Sequence, residues 1–213
     1  MMNEMECCGG GCHGCDDEME SAKGGCCETI AEGASEACEY ATVGRMAPHF
    51  RLEGVDASGV FHWYDLNDSR GKWVVLYSYP LDFTFICPTE ISGYSARYEE
   101  FEKLNCQVFG FSTDSCHSHK AWIARDLGAL KHPLLSDMTQ EVSEAYGCLI
   151  PEKGHTNRAT FIIDPTGKLR YAGYHDEDLG RSVDETLRLL SALQTGERCP
   201  ANWKPGQQTL GKG

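Results

Sequence analysis

Apolar positions along the chain fall into short runs with two distinct spacings. Trp73-Val74-Val75-Leu76-Tyr77 is unbroken, the pattern of a parallel strand covered on both faces, and it predicts a strand over 73–78. From Pro88 to about Leu104, Ile91, Tyr94, Tyr98 and Phe101 recur every three or four residues, which is one face of a helix opened by Pro88. Residues 106–112 return as a strand. Thr113, Asp114 and Ser115 offer caps for a second helix containing Trp122, and a short helix near 140–146 is closed by Gly147. The strand 159–163 turns at Asp164-Pro165-Thr166-Gly167 into the strand 168–174. Ser182 and Glu185 have capping-box spacing for a helix whose core face holds Val183, Leu187 and Leu190, and Gly196 ends it. Strands alternating with helices predict an α/β sandwich, a mixed sheet flanked by helices.

The first part of the chain lacks this pattern. Residues 1–42 hold ten acids and one lysine, −9 of the total −13, and Tyr40 is their one aromatic residue. We read 1–42 as an acidic extension, either disordered or organised by metal, and 43–213 as the folded domain. Seven of the twelve cysteines lie in the extension. Cys7, Cys8, Cys12, His13 and Cys15 fall within nine residues, and Cys26 and Cys27 follow. Soft ligands at this density suit zinc, copper(I) or an iron–sulfur cluster. The alternative is a disordered acidic tail whose thiols do little or serve as spare reductant. The net charge argues against nucleic acid as a partner, since a binder needs a basic patch. No apolar run is long enough to span a bilayer, and the N-terminus lacks the hydrophobic segment of a secretory signal. A reducing cytoplasm is therefore expected, where thiols act as catalysts, ligands or small core residues.

One cysteine stands apart. Cys87 lies where the 73–78 strand hands over to the following helix, and unpaired N–H groups at a helix start favour a thiolate. A second cysteine, Cys199, sits near the C-terminus in Glu197-Arg198-Cys199-Pro200. Pro80, Thr84 and Cys87 form a Pro-x-x-x-Thr-x-x-Cys pattern, with Arg158 far along the chain. With Phe111-Ser112-Thr113-Asp114-Ser115, His119-Lys120-Ala121-Trp122 and Cys199-Pro200, these residues closely resemble the typical two-cysteine peroxiredoxins over about 43–205. That class includes the alkyl hydroperoxide reductase C subunits.

The resemblance implies a thioredoxin-like fold and an obligate homodimer, often built into a decameric ring of five dimers. It implies a thiol peroxidase acting on hydrogen peroxide and organic hydroperoxides. Cys87 would become a sulfenic acid, and Cys199 of a second subunit would condense with it to a disulfide. Thioredoxin or a flavoprotein disulfide reductase would then restore the thiols. In this reading Arg158, the Thr84 hydroxyl and the Cys87 N–H steady the leaving oxygen, Pro80 covers the sulfur, and Glu90 orients Arg158. Asp126-Leu127-Gly128-Ala129 departs from the Gly-Gly-Leu-Gly of overoxidation-sensitive members, and no Tyr-Phe stands near Gly213, so slow overoxidation is expected. Cys106 and Cys148 read as structural, and Cys116, in the first turn of a helix, as mildly activated. Tyr79, Phe83 and Phe85 read as pocket walls, and His119 and Trp122 as packing or interface residues. A thioredoxin-like oxidoreductase would need a second cysteine three residues after Cys87, where Glu90 stands. A ring-forming holdase, or a metal-storage protein using the extension, is the rival from another class.

Overall fold

The computed structural model describes residues 40–212. The ligand set suggested for metal, Cys7, Cys8, Cys12, His13, Cys15, Cys26 and Cys27, lies outside the described residues. Nine strands and five α-helices follow one another in these: β1 Arg51–Val55, β2 Phe61–Asp65, β3 Trp73–Ser78, α1 Cys87–Ala96, α2 Tyr98–Lys103, β4 Cys106–Ser112, α3 Cys116–Trp122, β5 Leu134–Ser136, α4 Glu141–Ala145, β6 Leu149–Ile150, β7 His155–Thr156, β8 Arg158–Ile163, β9 Leu169–His175 and α5 Val183–Gln194. No helix among the described residues is long and apolar enough to cross a membrane.

Seven strands make one sheet in the order β2-β1-β5-β4-β3-β8-β9, and β6 pairs only with β7. β3, β4 and β5 run parallel, while β8 and β9 add antiparallel on one side and β1 and β2 on the other. Alternate residues of the central strands serve two cores. Val75, Tyr77, Val108 and Ile162 pack with Ile91 and Tyr94 of α1, Trp122 of α3 and Leu187 and Leu190 of α5. Val74, Leu76, Phe109, Phe111, Phe161 and Ile163 pack on the opposite side with Val142 of α4 and Tyr146. The result is the thioredoxin-like α/β fold with a central mixed sheet.

Three local differences from the sequence reading have physical causes. The helix expected from Pro88 to Leu104 begins at Cys87, with Pro88 second, and breaks at Arg97 (φ −100°, ψ 8°) into α1 and α2. Arg97 bonds Glu100 and reaches across to Asp184 at the start of α5, so a tertiary contact shapes the break. The capping box of α5 is half formed. Ser182 Oγ accepts from the Glu185 N–H at 3.2 Å, but the Glu185 carboxylate pairs with Arg188 instead of reaching back. Strands β1 and β2 escaped the sequence reading because β2 is an edge with exposed positions and β1 contains Gly54. That glycine is required by contact: a Cβ there would lie 2.5 Å from Leu135 Cδ2 and 2.9 Å from the Leu134 carbonyl oxygen.

Beneath the sheet's helix-covered face is a buried polar pair. The Tyr77 hydroxyl and His132 Nε2 are 2.7 Å apart, and the Tyr77 ring stacks on Tyr94 at 4.3 Å. Burial pushes the His132 imidazole down to about 3, so it is neutral at physiological pH. Removing either partner strands the other in the core, which typically costs about 1–3 kcal/mol. His132→Leu and Tyr77→Phe are each expected to destabilise by that order, and the double variant by less than their sum. Denaturant unfolding of the four proteins checks this; strict additivity would mean that the two groups do not interact.

Candidate active site

The end of β3 is stitched to its neighbours before the chain reaches Cys87. Ser78 Oγ donates to the Asn157 carbonyl at 2.7 Å and accepts from the Ala159 N–H at 2.9 Å. The Tyr79 N–H donates to Phe111 O at 3.0 Å, and Thr156 Oγ1 donates to Tyr79 O at 2.9 Å. The loop that follows hangs on Asp82. Its N–H donates to Asp114 Oδ2 at 2.7 Å, and its carboxylate accepts from the Tyr79 hydroxyl at 3.0 Å. His119 Nδ1 lies 2.8 Å from the other Asp82 oxygen, and Nε2 lies 3.0 Å from the Leu135 carbonyl. His119 is thus wholly buried as a bridge between the loop and β5. Phe83 adopts a left-handed backbone (φ 57°), which costs an aromatic residue about 1–3 kcal/mol. Its ring is held by Trp122 at 5.7 Å and by the Arg125 guanidinium at 4.5 Å. The sequence reading took His119 as a packing or interface residue and overlooked Asp82; the one available signal was a carboxylate inside a mostly apolar loop.

Cys87 is the first residue of α1 and is fully buried. Its N–H, at that position, has no partner inside the helix. Arg158 Nη1 lies 3.3 Å from Cys87 Sγ and donates to Glu90 Oε2 at 2.7 Å, while Arg158 Nε donates to the Glu177 carbonyl at 2.7 Å. A second arginine completes the set. Arg181 donates to Glu90 from its main-chain N–H (2.8 Å), Nε (2.9 Å) and Nη2 (2.9 Å), and from Nη1 to the Ala159 carbonyl at 2.6 Å. Burial alone would raise the Glu90 carboxyl, but hydrogen bonds and charge from Arg181, with the charge of Arg158, hold it below its ordinary value. Two guanidinium groups face one carboxylate, so the cluster beside the sulfur carries a net positive charge.

Arg181 was missed from the sequence. Its position just before the cap residue Ser182 gave no hint that it bonds a residue 91 positions earlier. The Thr84 hydroxyl donates to Leu81 O at 3.0 Å, across the turn made by the left-handed Phe83. Pro80 is buried next to the loop. Tyr79 is a fully buried core residue and Phe85 is 96% exposed, so neither is a simple pocket wall. Cys199 is half-buried at the end of α5, with Sγ 3.6 Å from Thr195 Oγ1 and 3.8 Å from the Ala192 carbonyl. Burial pushes the Cys116 thiol up to about 11, which overturns the mild activation expected of it. Burial raises Cys148 to about 12 and Cys106 further still, so these thiols stay protonated.

The sequence pattern of the AhpC/TSA family matches residues 43–172. The chain is 53% identical over 175 residues to the Bacillus subtilis protein YkuU, covering 79% of this chain and 97% of that one. The chain belongs to the AhpC/TSA family and is a peroxiredoxin. It is 47% identical over 182 residues to the thioredoxin peroxidase of Trypanosoma brucei rhodesiense, covering 81% of this peroxiredoxin and 92% of that relative. The reduced 2-Cys peroxiredoxin of Plasmodium vivax superposes with a TM-score of 0.76 at 38% identity, over 78% of this chain and 91% of that one. As a peroxiredoxin the protein is a thiol-dependent peroxidase, which takes a peroxide substrate and a thiol reductant.

Proposed function

We propose that the protein reduces hydrogen peroxide and small organic hydroperoxides through Cys87, and that Cys199 of a second subunit resolves the product. The observation that carries this is the contact of Arg158 with the buried sulfur and with Glu90 at once. The Cys87 thiolate attacks the terminal oxygen of ROOH. An S–O bond forms, the O–O bond breaks, and the expelled alkoxide takes a proton to leave as ROH. Sulfur loses two electrons and the peroxide gains them, leaving Cys87 as a sulfenic acid. Negative charge grows on the departing oxygen, which the Arg158 guanidinium and the Cys87 N–H would stabilise. This matters more than thiolate formation alone, because nucleophilicity falls as a thiol becomes more acidic.

Resolution adds the thiol of Cys199 and releases water, giving an S–S bond. The geometry favours two chains. α1 meets α5 at the N-terminal end of α5, where Glu90 binds Arg181, while Cys199 is anchored on Ala192 and Thr195 at the other end. Twelve helical residues separate the ends, about 18 Å at 1.5 Å each, whereas a disulfide needs Cα atoms about 4.4–6.8 Å apart. Because Cys87 is fully buried within the first turn of α1, that turn unwinds for the sulfurs to meet. A dithiol protein such as thioredoxin, or a flavoprotein disulfide reductase, then accepts the disulfide; a cytoplasmic dimer or ring of dimers is the assembly we propose. On a non-reducing gel, peroxide-treated wild type should run as a covalent dimer and Cys199→Ser as a monomer that retains a sulfenic acid trapped by dimedone. A covalent dimer persisting in Cys199→Ser would overturn the pairing.

A further inference from the structure

The catalytic arginine is steered from outside the cluster that touches the sulfur. Arg158 Nε donates to the main-chain carbonyl of Glu177, in the loop 176–182 between β9 and α5. The same loop supplies Arg181 to Glu90, and it abuts the residue before Cys87: a Cβ on Gly180 would lie 3.3 Å from Ile86 Cγ2. The loop has little apolar anchorage of its own, since Leu179 is 59% exposed. Besides Arg181, the Glu177 side chain ties it down. Its carboxylate pairs with Lys153, and its other oxygen lies 3.4 Å from His155 Nε2, with the His155 side chain only 13% exposed. Lys153 and His155 belong to the small β6–β7 hairpin, which pairs with no strand of the main sheet. The hairpin leads directly into β8, where Arg158 is the first residue. The loop and the hairpin therefore grip Arg158 from both sides, and Glu177 joins them.

We propose that Glu177, held by Lys153 and His155, is a positioning residue for Arg158 and sets the aim of its guanidinium at the departing oxygen. The proposal rests on the peroxide chemistry assigned to Cys87 above. It concerns the side chain alone, because the carbonyl that Arg158 uses survives in every variant at this position. Freeing the loop lets the guanidinium wander from a geometry that the oxygen must find at bond breaking, and small misplacements of such groups are costly in rate.

Two reactions of Cys87 in the full-length protein separate positioning from general loosening. Oxidation by hydrogen peroxide needs the leaving-oxygen donors, whereas alkylation by iodoacetamide needs only an accessible thiolate. Glu177→Ala is expected to slow peroxide oxidation about fivefold while alkylation changes by less than about twofold. Lys153→Ala should act in the same direction, Lys153→Arg should restore the wild-type rate, and Lys153→Ala combined with Glu177→Ala should be no slower than Glu177→Ala alone. An unchanged peroxide rate in Glu177→Ala, or alkylation rising as the buried sulfur opens to solvent, would overturn the proposal. A wild-type protein inert to peroxide would instead sink the assignment to Cys87, so the two failures are distinguishable.

Discussion

Cys87→Ser is expected to bring peroxide consumption down to the uncatalysed rate, and Arg158→Met to lower the rate of Cys87 oxidation by about 10²–10³. The first removes the atom that is oxidised. The second is the sharper test, because it leaves the nucleophile in place. Among the described residues, Arg158 Nη1 is the one side-chain donor to the sulfur, at 3.3 Å. An approaching peroxide would meet the same nitrogen. Methionine keeps much of the buried stem but supplies no donor, and Glu90 retains three hydrogen bonds from Arg181, so the cluster stays charge-paired. The fold should therefore survive, and the loss should be chemical. Stopped-flow oxidation by hydrogen peroxide reads the effect. A loss of less than tenfold would show that the helix terminus and backbone donors suffice without the guanidinium. Arg158→Lys should recover only part of the rate, because one ammonium cannot serve Sγ, Glu90 and the Glu177 carbonyl together.

What was legible in the sequence was local. The unbroken run at 73–78 gave β3, the caps at Ser115 and Ser182 gave two helix starts, and Asp164-Pro165-Thr166-Gly167 gave the turn between β8 and β9. Cys87, Glu90 and Arg158 could be named because two of them share the first turn of a helix and the third sits in a recognisable segment. The rest depended on chain crossings that no local pattern encodes. Arg181 reaches back 91 residues to Glu90, and Asp82 meets His119 across 37. The left-handed backbone of Phe83, which turns the Thr84 hydroxyl onto Leu81, also has no local signal in the sequence. Strands β1 and β2 carry mixed polar and apolar residues, and only pairing with each other and with β5 makes them strands.

Glu90→Gln should be the most destabilising polar change at the site. The Glu90, Arg158 and Arg181 side chains are 2%, 4% and 2% exposed, so the carboxylate is the counter-ion for two buried guanidinium groups. An amide of the same shape keeps some hydrogen bonds but removes the charge, and uncompensated buried charge of this kind costs about 3–5 kcal/mol. For a domain of this size that corresponds to a fall in Tm of roughly 6–20 °C. The pH dependence has a definite sign. Arg181 and Arg158 outweigh burial and hold the folded-state carboxyl below its unfolded value of 4.5. The ionised carboxylate therefore contributes stability that is complete well above that value and is lost as the pH falls through the lower, folded-state value. Wild type and Glu90→Gln should differ most near neutral pH and converge in acid. Thermal melts at neutral pH and near pH 3 compare the two; a gap independent of pH would mean that shape, and not the carboxylate charge, holds the two arginines in place.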